Sequence, residues 1–340
     1  MLYLDGSQGE GGGQIVRTAL TLSAISGTPV RIERIRAGRQ TAGLRPQHVA
    51  AVRAAADICA AQVEGAAVGS EAITFAPGGP ARPGRYEWAI GTAGSAVLVM
   101  QTVLLPLALA AGPSEVRVHG GTHVPYSPSG HYLRDVYVPF LLGLGADVTL
   151  FLEAYGWMPE GGGSIVAQVS GGTQLSGADM RQRGPIERVF GTAVGCNLPS
   201  HIPQRIASRA INLLETLAVP ADVRPLRARG ISTGAGLFLA VEYANGRGGS
   251  GMLGRKGMPS EIVAEKAVTA LLAFHASGAS VDAHLADQII VPLALAQGAS
   301  AFVTPEITAH LLTNIGVVRA FIDRPIGVDE RARTVTIGNT

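Results

Sequence analysis

Glu10 is followed by three glycines and then by QIVRTALTLS, which reads as a loop entering a helix. Free N–H groups at such an entrance attract phosphate or carboxylate. Arg17 falls just over one turn inside, on the face of Gly13 four residues back. The same glycines serve equally as a turn that lets backbone pack closely. Neither GK[ST] nor a GxGxxG after a long strand is present, so the stretch is not a P-loop or a dinucleotide fingerprint. A near copy, EGGGSIV at 160–166, runs into the alternating Ile165, Ala167 and Val169 and has no equivalent of Arg17. It reads as a structural turn into a strand, feeding an inserted segment downstream.

A second reactive stretch is RIERIRAGRQTAGLRPQHVAAVRAAADI, residues 31–58. Arg31, Arg34, Arg36, Arg39 and Arg45 crowd it, with Glu33 the only acid among them. Alternation puts Arg31, Glu33 and Ile35 on one side of a strand and Ile32, Arg34 and Arg36 on the other. A loop follows, then a helix from about Gln47. Guanidinium groups stay protonated and bind phosphate bidentately. The loop is either a phosphate cradle beside the glycine entrance or a solvated surface.

Two later segments carry polar groups within apolar helical patterns. DAHLADQIIVPLALAQG (282–298) opens with His284, Asp287 and Gln288. Asp287 could bind a metal or a ribose, or cap the helix. TPEITAHLLTNIGVVRAFI (304–322) sets His310 among Ile307, Leu311, Leu312, Ile315 and Val318. It is either a reactive imidazole or a satisfied structural one. His119, His123 and His131 lie close in sequence, but glycines and prolines between them leave a metal geometry undefined.

These residues need a scaffold, and the chain repeats one. VLLPLALAAG (103–112), VYVPFLLGLG (136–145) and IIVPLALAQG (289–298) each precede a short strand-like segment. Helix, glycine stop, strand is the simplest reading. Their irregular spacing argues for a few related α/β units rather than a solenoid. Residues 182–277 change character: strand, helix, two strands, a flexible basic loop GRGGSGMLGRKG (246–257), then a helix at 261–275. The expected organisation is a main domain of residues 1–181 plus 278–340 and an inserted small α/β domain of residues 182–277.

Composition bounds the function. Hydrophobic residues make up 47% of the 340 and charged residues 15%, which suits a buried globular core. The net charge of +2 supplies no global field for nucleic acid. Lys256 and Lys266 are the only lysines, so any phosphate site rests on Arg, backbone N–H groups or helix termini. Two cysteines suit a reducing cytoplasm and give no disulfide or zinc framework. There is no signal-peptide pattern at the N-terminus, and 96–111 reads as a buried helix rather than a membrane span.

Taken together, DGSQGEGGGQIVRTALTLS, IRAGRQTAGLRPQH, IGTAGSAVLVMQTVLLPLALA, HLADQIIVPLALA and HLLTNIGVV resemble, in order and nearly end to end, the RNA 3′-terminal phosphate cyclase family. The resemblance implies an α/β (α+β) fold with a large domain of three repeated βαβαββ-type units and a smaller inserted α/β domain. It implies conversion of an RNA 3′-phosphate end to a 2′,3′-cyclic phosphate, with ATP and Mg²⁺ or Mn²⁺, releasing AMP and pyrophosphate. By it, His310 is the nucleophile that carries AMP. Gln101 and His284, Leu285, Ala286, Asp287 and Gln288 bind the nucleotide, and Glu10 helps hold the metal. Arg17, Arg36, Arg39 and Gln47 fall on polar positions assigned to phosphate or RNA. The chain departs from the family at GGTHVPYSPSGHY, where His123 and His131 stand in place of an acidic pattern, and GWMPEGGG lacks a preceding basic residue. Two other readings follow from relatives: a non-catalytic ribosome-assembly factor, which would lack the histidine, and an enolpyruvyl-type transferase built of related units.

Overall fold

The computed structural model describes residues 1–338. The first sheet contains β1 (Leu2–Asp5), β2 (Val30–Glu33), β3 (Gln62–Glu64) and β4 (Ile73–Ala76), in the order β1-β2-β4-β3. Helices α1 (Gln14–Ser26) and α2 (Pro46–Cys59) belong to it. The second sheet, β5-β6-β8-β7, uses β5 (Arg85–Ala89), β6 (Ser114–Gly120), β7 (Val148–Ala154) and β8 (Gly163–Val169). Helix α3 (Ala96–Leu109) joins its first pair. The short α4 (Gly130–Tyr132), a π-helical turn (Leu133–Tyr137) and α5 (Val138–Gly143) lead to β7.

Strand β9 (Asp179–Met180) then precedes a block of β10 (Ile186–Cys196), α6 (His201–Leu214), β11 (Ala221–Ala228), β12 (Gly234–Tyr243), β13 (Gly246–Leu253) and α7 (Ser260–Ala276). The block forms its own sheet, β11-β10-β12-β13. The chain returns through α8 (Ala283–Gln288), α9 (Ile290–Leu295), β14 (Ser300–Val303), α10 (Ala309–Phe321), β15 (Ile326–Asp329) and β16 (Thr334–Ile337). The last sheet, β15-β16-β14-β9, recruits the short strand from before the block.

Three of these sheets share one pairing scheme. Strands β1 and β2, β5 and β6, and β9 and β14 pair in parallel, each pair spanning a crossover. In each sheet the second of those strands then pairs antiparallel with the last strand of an added hairpin. The 182–277 block differs, because the first strand of its parallel pair, β10, is the inner one, and it pairs antiparallel with β12, the first strand of the β12–β13 hairpin.

Helix α3 is apolar all round because it is central: every residue but Gln101 and Leu109 is buried. It packs with α1, α2 and the inner faces of the first sheets in one large apolar cluster. A second cluster lies between α6, α7 and the block's own sheet. A small third one joins Trp157 to Val194, Cys196, Ala228 and Phe238. No helix among the described residues is long and apolar enough to cross a membrane.

Several local expectations need correction. The glycine-rich segment from 246 is strand β13, not a flexible loop, so the block has three strands between its helices. The 282–298 segment is two short helices meeting at Ile289. Strand β2 stops at Glu33 because Arg34 takes a positive φ of 52°, and Ile35 turns inward to full burial instead of sharing a face with Arg31. The second glycine turn feeds β8 of the second sheet, and meets the 182–277 block at Ile231 and Ser232.

Candidate active site

Helix α1 starts at Gln14 with Gly13 as its N-cap and no side chain capping it. Its first-turn N–H groups therefore face outward without a protein acceptor from a cap. Two of the glycines before it are required by close approach. A Cβ on Gly13 would lie 2.2 Å from His48 Nε2, and one on Gly9 would lie 2.1 Å from Thr313 Oγ1. The loop is thus wedged between α2 on one side and α10 on the other.

Helix α10 is set by Thr308, whose side chain accepts from Leu311 N at 3.1 Å. Leu311, Ile315 and Val318 go into the core, which leaves His310 on the opposite side of the first turn. Its side chain is 48% exposed. Gln14 grips it twice: Nε2 donates to the His310 carbonyl at 3.5 Å, and Oε1 lies in hydrogen-bond contact with His310 Nδ1. With the Gln14 amide oriented by the first bond, Nδ1 is the donor in the second. The other ring nitrogen, Nε2, then carries the lone pair.

Glu10 meets that nitrogen, with Oε2 2.5 Å from His310 Nε2. The approach lies off the hydrogen-bonding direction, so the buried Oε2 has no hydrogen-bond partner. Its other oxygen pairs with Arg39, and the Glu10 N–H donates to Thr313 Oγ1 at 3.2 Å. A carboxylate beside imidazole favours the charged ring, but here the balance runs the other way. Burial, then the charges of Arg39 and Arg17 and the neighbouring His284, hold the His310 imidazole below its ordinary value. Arg39 pairs with the other Glu10 oxygen and so offsets part of that carboxylate's pull on the ring.

A buried polar chain locks three helices behind this ring. Thr18 Oγ1 donates to Asn314 Oδ1 at 2.7 Å, and Asn314 Nδ2 donates to the Asp287 carbonyl at 2.7 Å. That chain ties α1 to α10 and α10 to α8. Gln101, the polar residue of α3, donates to Gln288 Oε1 at 2.5 Å, and Gln288 Nε2 donates to the His284 carbonyl at 2.8 Å. The cap of α8 is Asp282, not Asp287: it accepts from His284 N at 2.8 Å and Leu285 N at 3.0 Å, and from the Tyr132 hydroxyl. Asp287 is free for another role. Burial pushes its carboxyl up to about 7, against the pull of Arg17. Burial likewise lowers Arg17 to about 10.

The residues singled out by sequence are therefore not equivalent. His310, Glu10, Arg17, Arg39, Gln101 and the 284–288 stretch surround the glycine entrance of α1. Leu285 and Ala286 are fully buried, so only their backbone could meet a ligand. Arg36 spends Nη1 on the carbonyls of Thr41 and Gly43, closing its own loop. Gln47 Oε1 accepts from Ser95 N at 2.8 Å, at the start of α3. Sequence reasoning missed Gln14, Thr18, His48, Thr313 and Asn314. The signal was present for two of them, since Thr313 and Asn314 stand three and four residues after His310 and share its side of the helix.

The family model described as RNA 3′-terminal phosphate cyclase matches residues 8–328, a span that holds every residue of this site. The chain belongs to the RNA 3′-terminal phosphate cyclase family. It is 47% identical to the RNA 3′-terminal phosphate cyclase of Trichormus variabilis, over 100% of this chain and 99% of that one. The cyclase of Methylococcus capsulatus is also 47% identical, over 94% and 91% of the two chains. That of Salmonella agona is 40% identical over 99% and 96%. The chain is an enzyme of this cyclase kind. A solved enolpyruvyl transferase, NikO from Streptomyces tendae, overlaps 50% of this chain and 33% of its own at 18% identity, but with a TM-score of 0.28 the likeness carries no argument.

Among the described residues no group of three or more His, Cys, Asp or Glu side chains could hold a metal ion. Magnesium is ordinarily bound through one or two carboxylates together with substrate phosphates. Glu10, with one buried and unpartnered oxygen beside the arginines, fits that pattern.

Proposed function

We propose that the enzyme converts RNA 3′-phosphate ends to 2′,3′-cyclic phosphates at the expense of ATP, through AMP carried on His310. The supporting observation is the Gln14 grip on His310 Nδ1, which leaves a neutral Nε2 lone pair at the mouth of the glycine entrance. A phosphate monoester is a poor electrophile because its leaving group would be oxide or hydroxide. Moving AMP onto it supplies a good leaving group, and a covalent carrier divides the task into easier displacements.

In the first displacement, His310 Nε2 bonds to the α-phosphorus of ATP and the bond to pyrophosphate breaks. The RNA 3′-phosphate oxygen then takes the AMP phosphorus, and the P–N bond breaks. Finally the 2′-OH attacks the activated 3′-phosphorus and AMP leaves. That step is intramolecular, and effective molarities of ~10⁵ M or more are within reach for well-oriented groups. Arg17 and Arg39 stand where charge builds on the phosphoryl oxygens. Glu10 would hold Mg²⁺ or Mn²⁺, which supplies charge neutralisation at those oxygens when bound. Gln101, Gln288 and the backbone of 284–288 would orient the nucleotide.

We also infer that residues 182–277 form an inserted domain; their own sheet and apolar cluster support this division. The test of the overall reading is turnover. RNA ending in a 3′-phosphate should yield cyclic ends with AMP and pyrophosphate, and RNA ending in a 3′-OH should not. RNA binding without any such product would favour a non-catalytic relative.

A further inference from the structure

Tyr126 is fully exposed, at 104% of its reference area, whereas the next most exposed large hydrophobic, Ile231, reaches 75%. It is also a non-glycine residue in the left-handed region, with φ of 60°. An aromatic ring held wholly in water on a strained residue gains nothing for the free protein.

The loop that presents it is fixed. His123 and Val124 are buried on one side of it. Ser127 Oγ lies 2.5 Å from Ser95 Oγ, Ser129 Oγ accepts from Tyr132 N at 3.1 Å, and Gly130 N donates to the Thr122 carbonyl at 2.7 Å. The ring is therefore displayed from a closed, anchored turn and not from a free end.

The anchor places the loop beside the candidate site. Ser95 is the N-cap of α3, and its N–H is held by Gln47 of α2, next to the His48 ring that packs on Gly13. Six residues on, roughly 9 Å along the helix, Gln101 meets Gln288. Tyr132, at the other end of the loop, bonds Asp282 at the start of α8. Exposed Arg45 is the N-cap of α2, two residues before the Gln47 that holds Ser95. Stacking on an exposed ring, with guanidinium charge for the backbone, is how single strands are held without sequence readout.

We propose that Tyr126 is an RNA-binding residue, on which a base near the 3′ end of the RNA stacks while the terminal phosphate reaches the His310 site. The inference rests on the proposed function for its substrate. The experiment measures affinity for a short 3′-phosphate RNA by anisotropy, a reading that needs no turnover. Tyr126→Ala should weaken binding about 10-fold and Tyr126→Phe should stay within twofold of the unaltered protein. An RNA lacking one base near its 3′ end should bind both about equally. Adduct formation from labelled ATP without RNA, which reports on the catalytic reading separately, should keep its rate in Tyr126→Ala. The proposal falls if Tyr126→Ala binds RNA as tightly as the unaltered protein. It also falls if the variant slows the ATP step instead, which would make the ring a partner of the adenine.

Discussion

Two groups of histidines in this molecule are held below the ordinary range, for different reasons and to different ends. His310 keeps half its side chain in solvent, offers one ring nitrogen to Gln14, and turns the other toward Glu10 among arginines. His123 and His131 are each 1% exposed and stand among Tyr155, Trp157 and Phe238. His123 Nε2 is 2.8 Å from His131 Nδ1, its Nδ1 is 2.8 Å from Thr122 Oγ1, and His131 Nε2 has no partner. Burial drives His123 to about 3 and His131 lower than usual as well. A depressed imidazole is therefore not a sign of chemistry by itself. What separates the two is a reachable lone pair beside groups that can bind phosphate. His119, the third histidine of that stretch, points out of β6 and pairs with Glu87 at 2.7 Å.

The comparison can be broken most directly at Glu10. Glu10→Gln should lower AMP transfer to the enzyme by about 10²–10³-fold while the melting temperature moves by no more than about 2 °C. An equal loss of stability would make Glu10 a structural residue and blur the contrast. At the sealed pair the effects should reverse. His131→Ala removes a stacked ring from the core and should cost about 2–4 kcal/mol in denaturant unfolding, with AMP transfer per folded molecule retained.

Acid should separate the two regions again. His48 and His123 have folded values near 3 against 6.5 when unfolded, so between those limits the unfolded chain binds more protons. Their contribution is intact above about pH 6.5 and is lost as pH falls below it, by about 2 kcal/mol each at pH 5. Urea titrations at pH 7 and pH 5 would show this slope, and the double variant His123→Phe, His131→Phe should flatten part of it. His310→Ala removes an imidazole that is lowered less, and should flatten the slope by less than the double variant does. The smallest expected effect is at Gln14. Gln14→Ala should slow AMP transfer about 10-fold by releasing the ring tautomer. In the unaltered enzyme the acid limb of AMP transfer should lie below pH 6.5, since the folded imidazole stays neutral there.

How legible this was depended on whether a signal was local. The three Pro-containing apolar segments mark α3, the π-turn with α5, and α9, each followed by its strand, because helix, glycine stop and strand are written in consecutive residues. Strand β13 was not legible. Its glycines look flexible, yet a Cβ on Gly248 would lie 2.3 Å from the Phe274 ring and one on Gly249 would lie 2.8 Å from Val136. Those glycines answer packing partners more than 20 residues away on either side. The break between α8 and α9 was hidden because no glycine or proline stands at the joint, Ile289. In the site, His310 stood out by type and motif. Gln14 and Asn314 did not, because an amide gains its role only from a partner about 300 residues away in sequence.

The central claim is tested by incubating the enzyme with α-labelled ATP and a divalent cation, without RNA, and mapping the label. The account predicts one acid-labile AMP per chain on the imidazole of His310, absent from His310→Ala. Label retained in that variant, or RNA ends cyclised by an enzyme that never becomes labelled, would contradict it.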